Sequence, residues 1–91
     1  MYEFKLFISG FTNRIEQNVD KLKSTLDQHL SSNYSLTVIN IKDDPKAVEE
    51  NDIFMTPTLV KLKPSPIRKV FGDISRIDLI IDQIIEKNRI G

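Results

Sequence analysis

The sequence predicts an α/β fold, a four-stranded mixed sheet with helices on both faces. Residues 2–8 alternate as a strand does, and residues 15–30 repeat apolar side chains at helical spacing. Residues 58–71 contain two short apolar runs on either side of a proline-rich turn. Strand, long helix and strand in succession imply a parallel crossover, so we expect the element order βαβαββα.

The first two predicted elements are a strand and a long amphipathic helix. Tyr2–Ile8 alternates in polarity, and Phe7 adds an apolar side chain to its second face, which is typical of a strand covered on both sides. Asn13 is the predicted N-cap of the helix, with Glu16 as its capping-box partner. The helical stripe consists of Ile15, Val19, Leu22, Leu26 and Leu30.

The middle of the chain predicts a second strand and a short helix. Leu36–Ile41 is rich in branched side chains, as strands are. Asp44 followed by Pro45 is a helix start, with a capping side chain before proline at the first helical position. We predict a helix over Pro45–Asn51.

Two further strands follow. Thr58–Leu62 is the predicted third strand, and Lys63–Pro66 is either a rigid hairpin connection or a recognition turn. Ile67–Phe71 is the predicted antiparallel fourth strand, which ends at Gly72. Pro57 directly precedes this third strand. Because proline has no N–H to donate to a neighbouring strand, a central strand tolerates it only as its first residue.

The last segment, "ISRIDLIIDQIIEK" (residues 74–87), has two interpretations. Ser75 is a candidate N-cap, and Asp78 favours the first turn of a helix. Isoleucine is β-branched, however, and prefers strands. The segment is either a buried helix or a segment that can be repacked.

Composition limits the function. The 91 residues make one predicted domain (1–91), with 13 basic and 13 acidic residues. Zero net charge argues against a general polyanion binder. With no cysteine and a single His29, no thiol chemistry, metal site or cofactor is expected. The chain has no apolar run of about 20 residues and no signal-peptide profile, so we expect a cytosolic protein.

The element order with Thr-Pro-Thr before the third strand resembles the thioredoxin fold. That resemblance implies a cis peptide bond at Pro57. Thioredoxin chemistry requires a cysteine at the start of the first helix. Because the chain has none, thiol–disulfide exchange is excluded.

Three stretches resemble the KaiB family and the KaiB-like sensor domain of SasA kinases. They are "KLFISG" (Lys5–Gly10), "YSLTVINIKDDPKAVEENDIFMTPTLVKL" (Tyr34–Leu62) and "PSPIRKVFGDIS" (Pro64–Ser75). The resemblance implies a non-enzymatic protein that binds a KaiC-type ATPase ring and is linked to a KaiA-like protein. It also implies a switch between a self-associated form (dimer or tetramer, fold βαββααβ) and a thioredoxin-like monomer.

The resemblance also marks individual residues. Lys61, Arg68 and Lys69 match basic family positions associated with partner contact, or they are solvent-facing charges on a hairpin. Phe11 is either a partner contact or a staple on the helix start.

Other positions concern the fold switch. Gly72 and Asp73 match the family's Gly-Asp, and Gln83 and Ile85 replace small or acidic family residues. These substitutions bear on which of the two folds dominates. Gln17 and Asp52 stand where the family has arginine and lysine.

Two rival functions remain. One is a thioredoxin-like sensor or interaction domain of a signalling kinase. The other is a glutathione-using enzyme in which Ser9 or Thr12 polarises a thiol, although only fold analogy supports this reading.

Overall fold

The structure, a computed structural model, describes residues 1–85. The predicted order βαβαββα is confirmed. The elements are β1 (Tyr2–Ile8), α1 (Asn13–Leu30), β2 (Tyr34–Asn40), α2 (Pro45–Glu50), β3 (Thr58–Lys63), β4 (Arg68–Phe71) and α3 (Ile77–Ile85).

The four strands form one mixed sheet in the order β2-β1-β3-β4. β1 and β2 are parallel, as a helical crossover requires, and β3 is antiparallel to both β1 and β4. Leu6 of β1 lies between Val38 on one side and Leu59 on the other. The first strand of the chain is therefore central, and β2 and β4 form the edges.

The main core lies between one face of the sheet and the helices α1 and α3. Alternate side chains of β1 (Phe4, Leu6 and Ile8) are fully buried there. The predicted helical stripe packs onto them, with Val19, Leu22 and Leu26 buried and Ile15 and Leu30 partly buried. The stripe prediction is thus confirmed.

The opposite face of the sheet carries α2. Phe7 and Val60 are fully buried on this side. The carboxylate of Asp44 caps α2 by accepting the N–H of Ala47 at 3.0 Å, and Pro45 is the first helical residue, as predicted. The helix ends at Glu50, one residue earlier than predicted, with Asn51 as its C-cap.

Two predicted N-caps are wrong. Thr12, and not Asn13, caps α1: its backbone is extended and its hydroxyl accepts the N–H of Ile15 at 3.1 Å. Ser75 lies in a turn before α3, and its N–H is already donated to Asp73 Oδ1 at 2.8 Å. α3 begins two residues later, at Ile77.

Two strand starts also differ. β2 begins at Tyr34 and not at Leu36, because Tyr34 already pairs with Tyr2 across the sheet. β4 begins at Arg68 and not at Ile67, since Arg68 is the first residue paired with β3, opposite Lys61.

The isoleucine-rich segment is a buried helix over Ile77–Ile85, with Ile77, Ile81, Ile84 and Ile85 facing the core. Two side-chain contacts also join it to α1: the ion pair of Lys21 Nζ with Asp78 Oδ1 at 3.4 Å, and the approach of His29 Nε2 to Asp82 Oδ1 at 3.6 Å. The remainder of the predicted segment, residues 86 and 87, lies outside the described residues.

Candidate partner-binding surface

Three loops meet at one end of the sheet. Phe7, Thr58 and Phe71 are neighbours across β1, β3 and β4, so the loop after β1, the loop before β3 and the loop after β4 leave the sheet together. The N-terminus of α1 also lies at this end, because it follows β1 after a short connection. Because three loops and a helix N-terminus converge here, this end of the sheet is the first candidate surface.

Pro57 has a structural explanation at this end. The Thr56–Pro57 bond is cis, which is the geometry that the resemblance implies. The Pro57 carbonyl accepts the N–H of Gly72 at 2.9 Å, and β3 begins at the next residue, so no ladder N–H is missing from Pro57. Gly72 has a φ of +87°, a conformation that glycine adopts without a steric penalty.

A cleft of about 340 Å³ opens beside this pair of loops. Its lining residues come from the first turns of α1 and from the two loops: Arg14, Ile15, Asn18, Pro57, Gly72 and Asp73. The backbone N–H and the hydroxyl of Ser75, together with Arg14 and Arg76, hold the pKa of the Asp73 carboxyl below its ordinary 3.8. Asp73 is therefore a carboxylate near neutral pH, at the mouth of the cleft.

Exposed apolar side chains surround the same end of the sheet. Phe11, Met55 and Phe71 are 59%, 52% and 47% exposed, and Phe54 is 87% exposed. Exposed aromatic side chains grouped in this way are typical of protein–protein contact sites. Sequence analysis found only Phe11. In the sequence, Phe54, Met55 and Phe71 could have been identified by their positions near Pro57 and Gly72, the two residues that shape the loops.

Phe11 is not a hydrophobic staple. It directly precedes the N-cap Thr12, where a staple begins, but the matching position on α1 is Glu16, which is charged. Phe11 and Glu16 instead line a shallow depression of about 280 Å³ together with Val19 and Asp20. Of the two predicted roles, partner contact remains the prediction.

Lys61 does not lie on the surface, so the expectation of a solvent-facing side chain is wrong. Strand alternation places it with Leu59 on the core face, opposite Phe4, and it is fully buried. Within residues 1–85, no buried side-chain nitrogen or oxygen lacks a hydrogen-bond partner. Alternation alone could not predict this, because β3 is apolar on both faces: Leu59 lies on the face of Lys61, and the equally buried Val60 lies on the other.

Lys69 joins two elements. Its Nζ donates to the carbonyl oxygens of Asn51 at 2.6 Å and Asp52 at 3.4 Å, just beyond the end of α2. A cation at a helix C-terminus is favourable because the last carbonyls carry partial negative charge. The ammonium is therefore held against the end of α2, and the role of Lys69 in partner contact stays a prediction.

Arg68 is exposed on β4, with its side chain on the opposite face of the strand from that of Lys69. It lines a cavity of about 510 Å³ between β4 and α3, together with Val70, Ile80, Gln83 and Ile84. Ile85 is buried nearby, and its carbonyl accepts the hydroxyl of Tyr2 at 3.1 Å. Phe11 and Arg68 are thus on the surface, but in different regions of it.

Within residues 1–85, no three His, Asp or Glu side chains are grouped so that they could hold a metal ion. The same residues contain no helix long and apolar enough to cross a bilayer.

Comparison with known proteins identifies relatives over nearly the whole chain. The family model described as the KaiB domain matches residues 5–83. The circadian clock oscillator protein KaiB1 of Synechocystis sp. is 37% identical, over 94% of this chain and 89% of that protein. The circadian clock oscillator protein KaiB of Gloeothece citriformis is 36% identical, over 94% of this chain and 88% of that protein.

Solved structures with this fold include two informative neighbours. The N-terminal domain of Synechococcus elongatus SasA has a TM-score of 0.68 at 24% identity, covering 97% of this chain and 86% of that one. The germline-specific thioredoxin Deadhead of Drosophila melanogaster has a TM-score of 0.70 at 16% identity, covering 91% and 80%. At these identities the likeness concerns the fold alone, which is thioredoxin-like.

Proposed function

This chain belongs to the KaiB family, and on that premise we propose that it is a non-enzymatic clock or stress-signalling protein that binds a KaiC-type ATPase ring. The proposal is supported by the combination of sequence similarity and three-dimensional fold. The chain is similar to KaiB clock proteins along nearly its full length, yet its described residues have the thioredoxin-like fold of the SasA N-terminal domain. In the family, that form is the one associated with KaiC binding.

The chemistry of the candidate surface supports binding and not catalysis. The thioredoxin-like fold places the N-terminus of α1 beside the Pro57 loop, but the chain has no cysteine to act there. The curated relatives carry the names of clock oscillator proteins and not of enzymes. What the surface offers instead is exposed aromatic and thioether side chains around a carboxylate, which suits a protein partner.

We place the partner contact at the loop end of the sheet. Phe11 supplies an exposed aromatic ring there, and exposed aromatic side chains are enriched at such interfaces. Arg68, on the edge strand, supplies an exposed charge that steers the partner's approach. Lys61 is fully buried in β3, and Lys69 joins β4 to the end of α2.

The proposal includes a fold switch. The thioredoxin-like form is stabilised by α3, whose apolar face closes the core. The alternative is a self-associated form in which the segment after Gly72 is rearranged, with Gln83 and Ile85 among the residues that set the balance. Two packings of one sequence need differ by only a few kcal/mol for both to be populated.

A mixing experiment tests the function. The protein is incubated for hours with the KaiC-type ATPase of the same organism and ATP, and the mass of the complex is measured by size-exclusion chromatography with light scattering. We expect the protein to move into a ring-sized complex. Immediate binding would mean that the thioredoxin-like form is already populated, and slow binding would mean that conversion precedes it.

A matched pair of variants locates the contact. Phe11→Ala removes an exposed ring and should weaken the complex without unfolding the protein, whereas Glu16→Gln, beside it, should bind as the wild type does. Failure of the wild-type protein to form a complex in any nucleotide state would contradict the proposed function.

A second candidate is a thioredoxin-like sensor domain of a signalling kinase. The fold likeness to the SasA N-terminal domain favours it. The two candidates are distinguished by the gene, because a sensor domain would be continuous with kinase sequence in the same reading frame.

A further inference from the structure

The cavity between β4 and α3 is larger than the cleft at the loop end of the sheet, at about 510 Å³ against about 340 Å³. It lies at the edge of the sheet, because β4 has only four residues and, of the described residues, none pairs with its outer side. Small-molecule sites have volumes of about 300–1,000 Å³. The cavity is therefore large enough for a small organic ligand.

The walls of this cavity are apolar. Strand alternation places Val70, opposite Leu59, on the face of the sheet that carries α3. The other wall is a ridge of α3 formed by Ile80 and Ile84, which lie on one side of the helix at a spacing of four residues. Val70 and Ile80 are only partly buried, although both pack against the core. They therefore present apolar surface that a hydrocarbon chain can cover.

The rim of the cavity is polar, and its charge is positive. Arg68 is exposed and lies on the same face of β4 as Val70. Gln83, which is also exposed, forms the rim on the side of α3. The other charged lining residue is Lys69, whose ammonium is held at the end of α2. Among the residues that the structure describes, no acidic side chain lines the cavity.

We propose that this cavity binds a medium-chain carboxylate, with the hydrocarbon chain between Val70 and the ridge of α3 and the carboxylate at Arg68 and Gln83. The planar guanidinium matches a carboxylate in geometry, and the side-chain amide of Gln83 can donate a further hydrogen bond. A guanidinium has several N–H donors, so Arg68 can bind this anion together with another acceptor. Because the ammonium of Lys69 is engaged elsewhere, the rim suits a ligand with a single negative charge.

The ligand would contact both walls of the cavity at once. It therefore binds the form of the protein in which β4 and α3 are packed as they are here. A ligand that binds one form and not the others stabilises that form, and the effect grows with the ligand concentration. Sodium octanoate should accordingly raise the melting temperature of the protein, and by more at higher concentration.

Titration with sodium octanoate, followed by amide NMR spectra, tests the site itself. We expect saturable shifts centred on Val70, Ile80 and Gln83. Acetate has the charge without the hydrocarbon chain, and octanol has the chain without the charge. Each should bind at least about tenfold more weakly than octanoate.

Two variants test the contact with the carboxylate. Arg68→Gln removes the guanidinium, and Gln83→Glu places a negative charge at the rim with little change of size, so each should weaken octanoate binding at least about tenfold. Both positions are exposed, and we expect both variants to keep the wild-type circular dichroism spectrum. The matched control is Arg76→Gln, an exposed arginine outside the cavity lining, which should bind octanoate as the wild type does.

The absence of saturable octanoate binding, shifts centred on another part of the surface, or an affinity unchanged in both Arg68→Gln and Gln83→Glu would overturn the inference. If octanoate does not bind and Gln83→Glu weakens the complex with the ATPase, the cavity receives a side chain of a protein partner instead. The titration contains no ATPase, so its outcome is independent of the proposed function.

Discussion

Lys69 illustrates how a single side chain determines the position of two elements. Its ammonium reaches across from β4 to the carbonyls of Asn51 and Asp52, and Asp52 has a φ of +53°. A charged donor at the end of α2 forms hydrogen bonds with carbonyls that have no donor within the helix. The short helix, which has no fully buried residue, is held in part by this contact.

Lys69→Met should therefore lower the free energy of unfolding. A hydrogen bond to a charged group contributes about 1.5–3 kcal/mol, and we expect a loss near the lower end because Lys69 is only half-buried. Urea denaturation measures it. The control is Lys63→Met, which breaks the exposed 3.8 Å pair with Glu3 and should cost less than about 1 kcal/mol. Equal losses in the two variants would refute the role given to Lys69.

At the scale of the element, helix starts show what a sequence can and cannot determine. The stripe from Ile15 to Leu30 determines that α1 exists and which face it buries. The choice between Thr12 and Asn13 as N-cap depends on which residue has an extended backbone, and both are good capping residues. Local sequence does not contain that information, because the approach of the chain from β1 decides it.

Substitution of the two capping candidates separates them. Thr12→Ala should lower the free energy of unfolding by about 1 kcal/mol, because the N–H of Ile15 loses its acceptor. Asn13→Ala, at the first helical residue, should have an effect within about 0.5 kcal/mol. Chemical denaturation of both variants measures the difference, and the reverse ranking would show that Asn13 is the cap.

At the scale of the whole molecule, the sequence was sufficient for the element order, the parallel β1–β2 pair, the antiparallel β3–β4 pair and the buried face of α1. It was insufficient for the surface. Lys61 is charged and buried, while Phe54 and Phe71 are apolar and exposed. The preference of a residue type for the core or the surface is only an average, and the register between distant strands decides whether an individual side chain is buried.

Acid stability is a property of the whole molecule to which Asp73 contributes. Its pKa is lower in the folded chain than in the unfolded chain, where it is near 3.8. It therefore stabilises the fold above pH 3.8, and this contribution is lost as the pH falls through the folded pKa. Wild type should be more stable than Asp73→Asn above roughly pH 5. The melting temperatures of wild type and Asp73→Asn should converge as the pH is lowered from neutral to acidic. A difference that stays constant with pH would contradict the role given to Asp73.

The central place of β1 has a consequence for synthesis on the ribosome. β1 and β2 can pair once Asn40 has emerged, but the other side of β1 awaits β3, which ends at Lys63. At roughly 5–20 residues per second, the intervening chain takes about 1–5 s to make. For that time one edge of β1, the strand that contains Phe4, Leu6 and Phe7, stays unpaired, so slow translation there should favour misfolding and rapid translation should protect the chain.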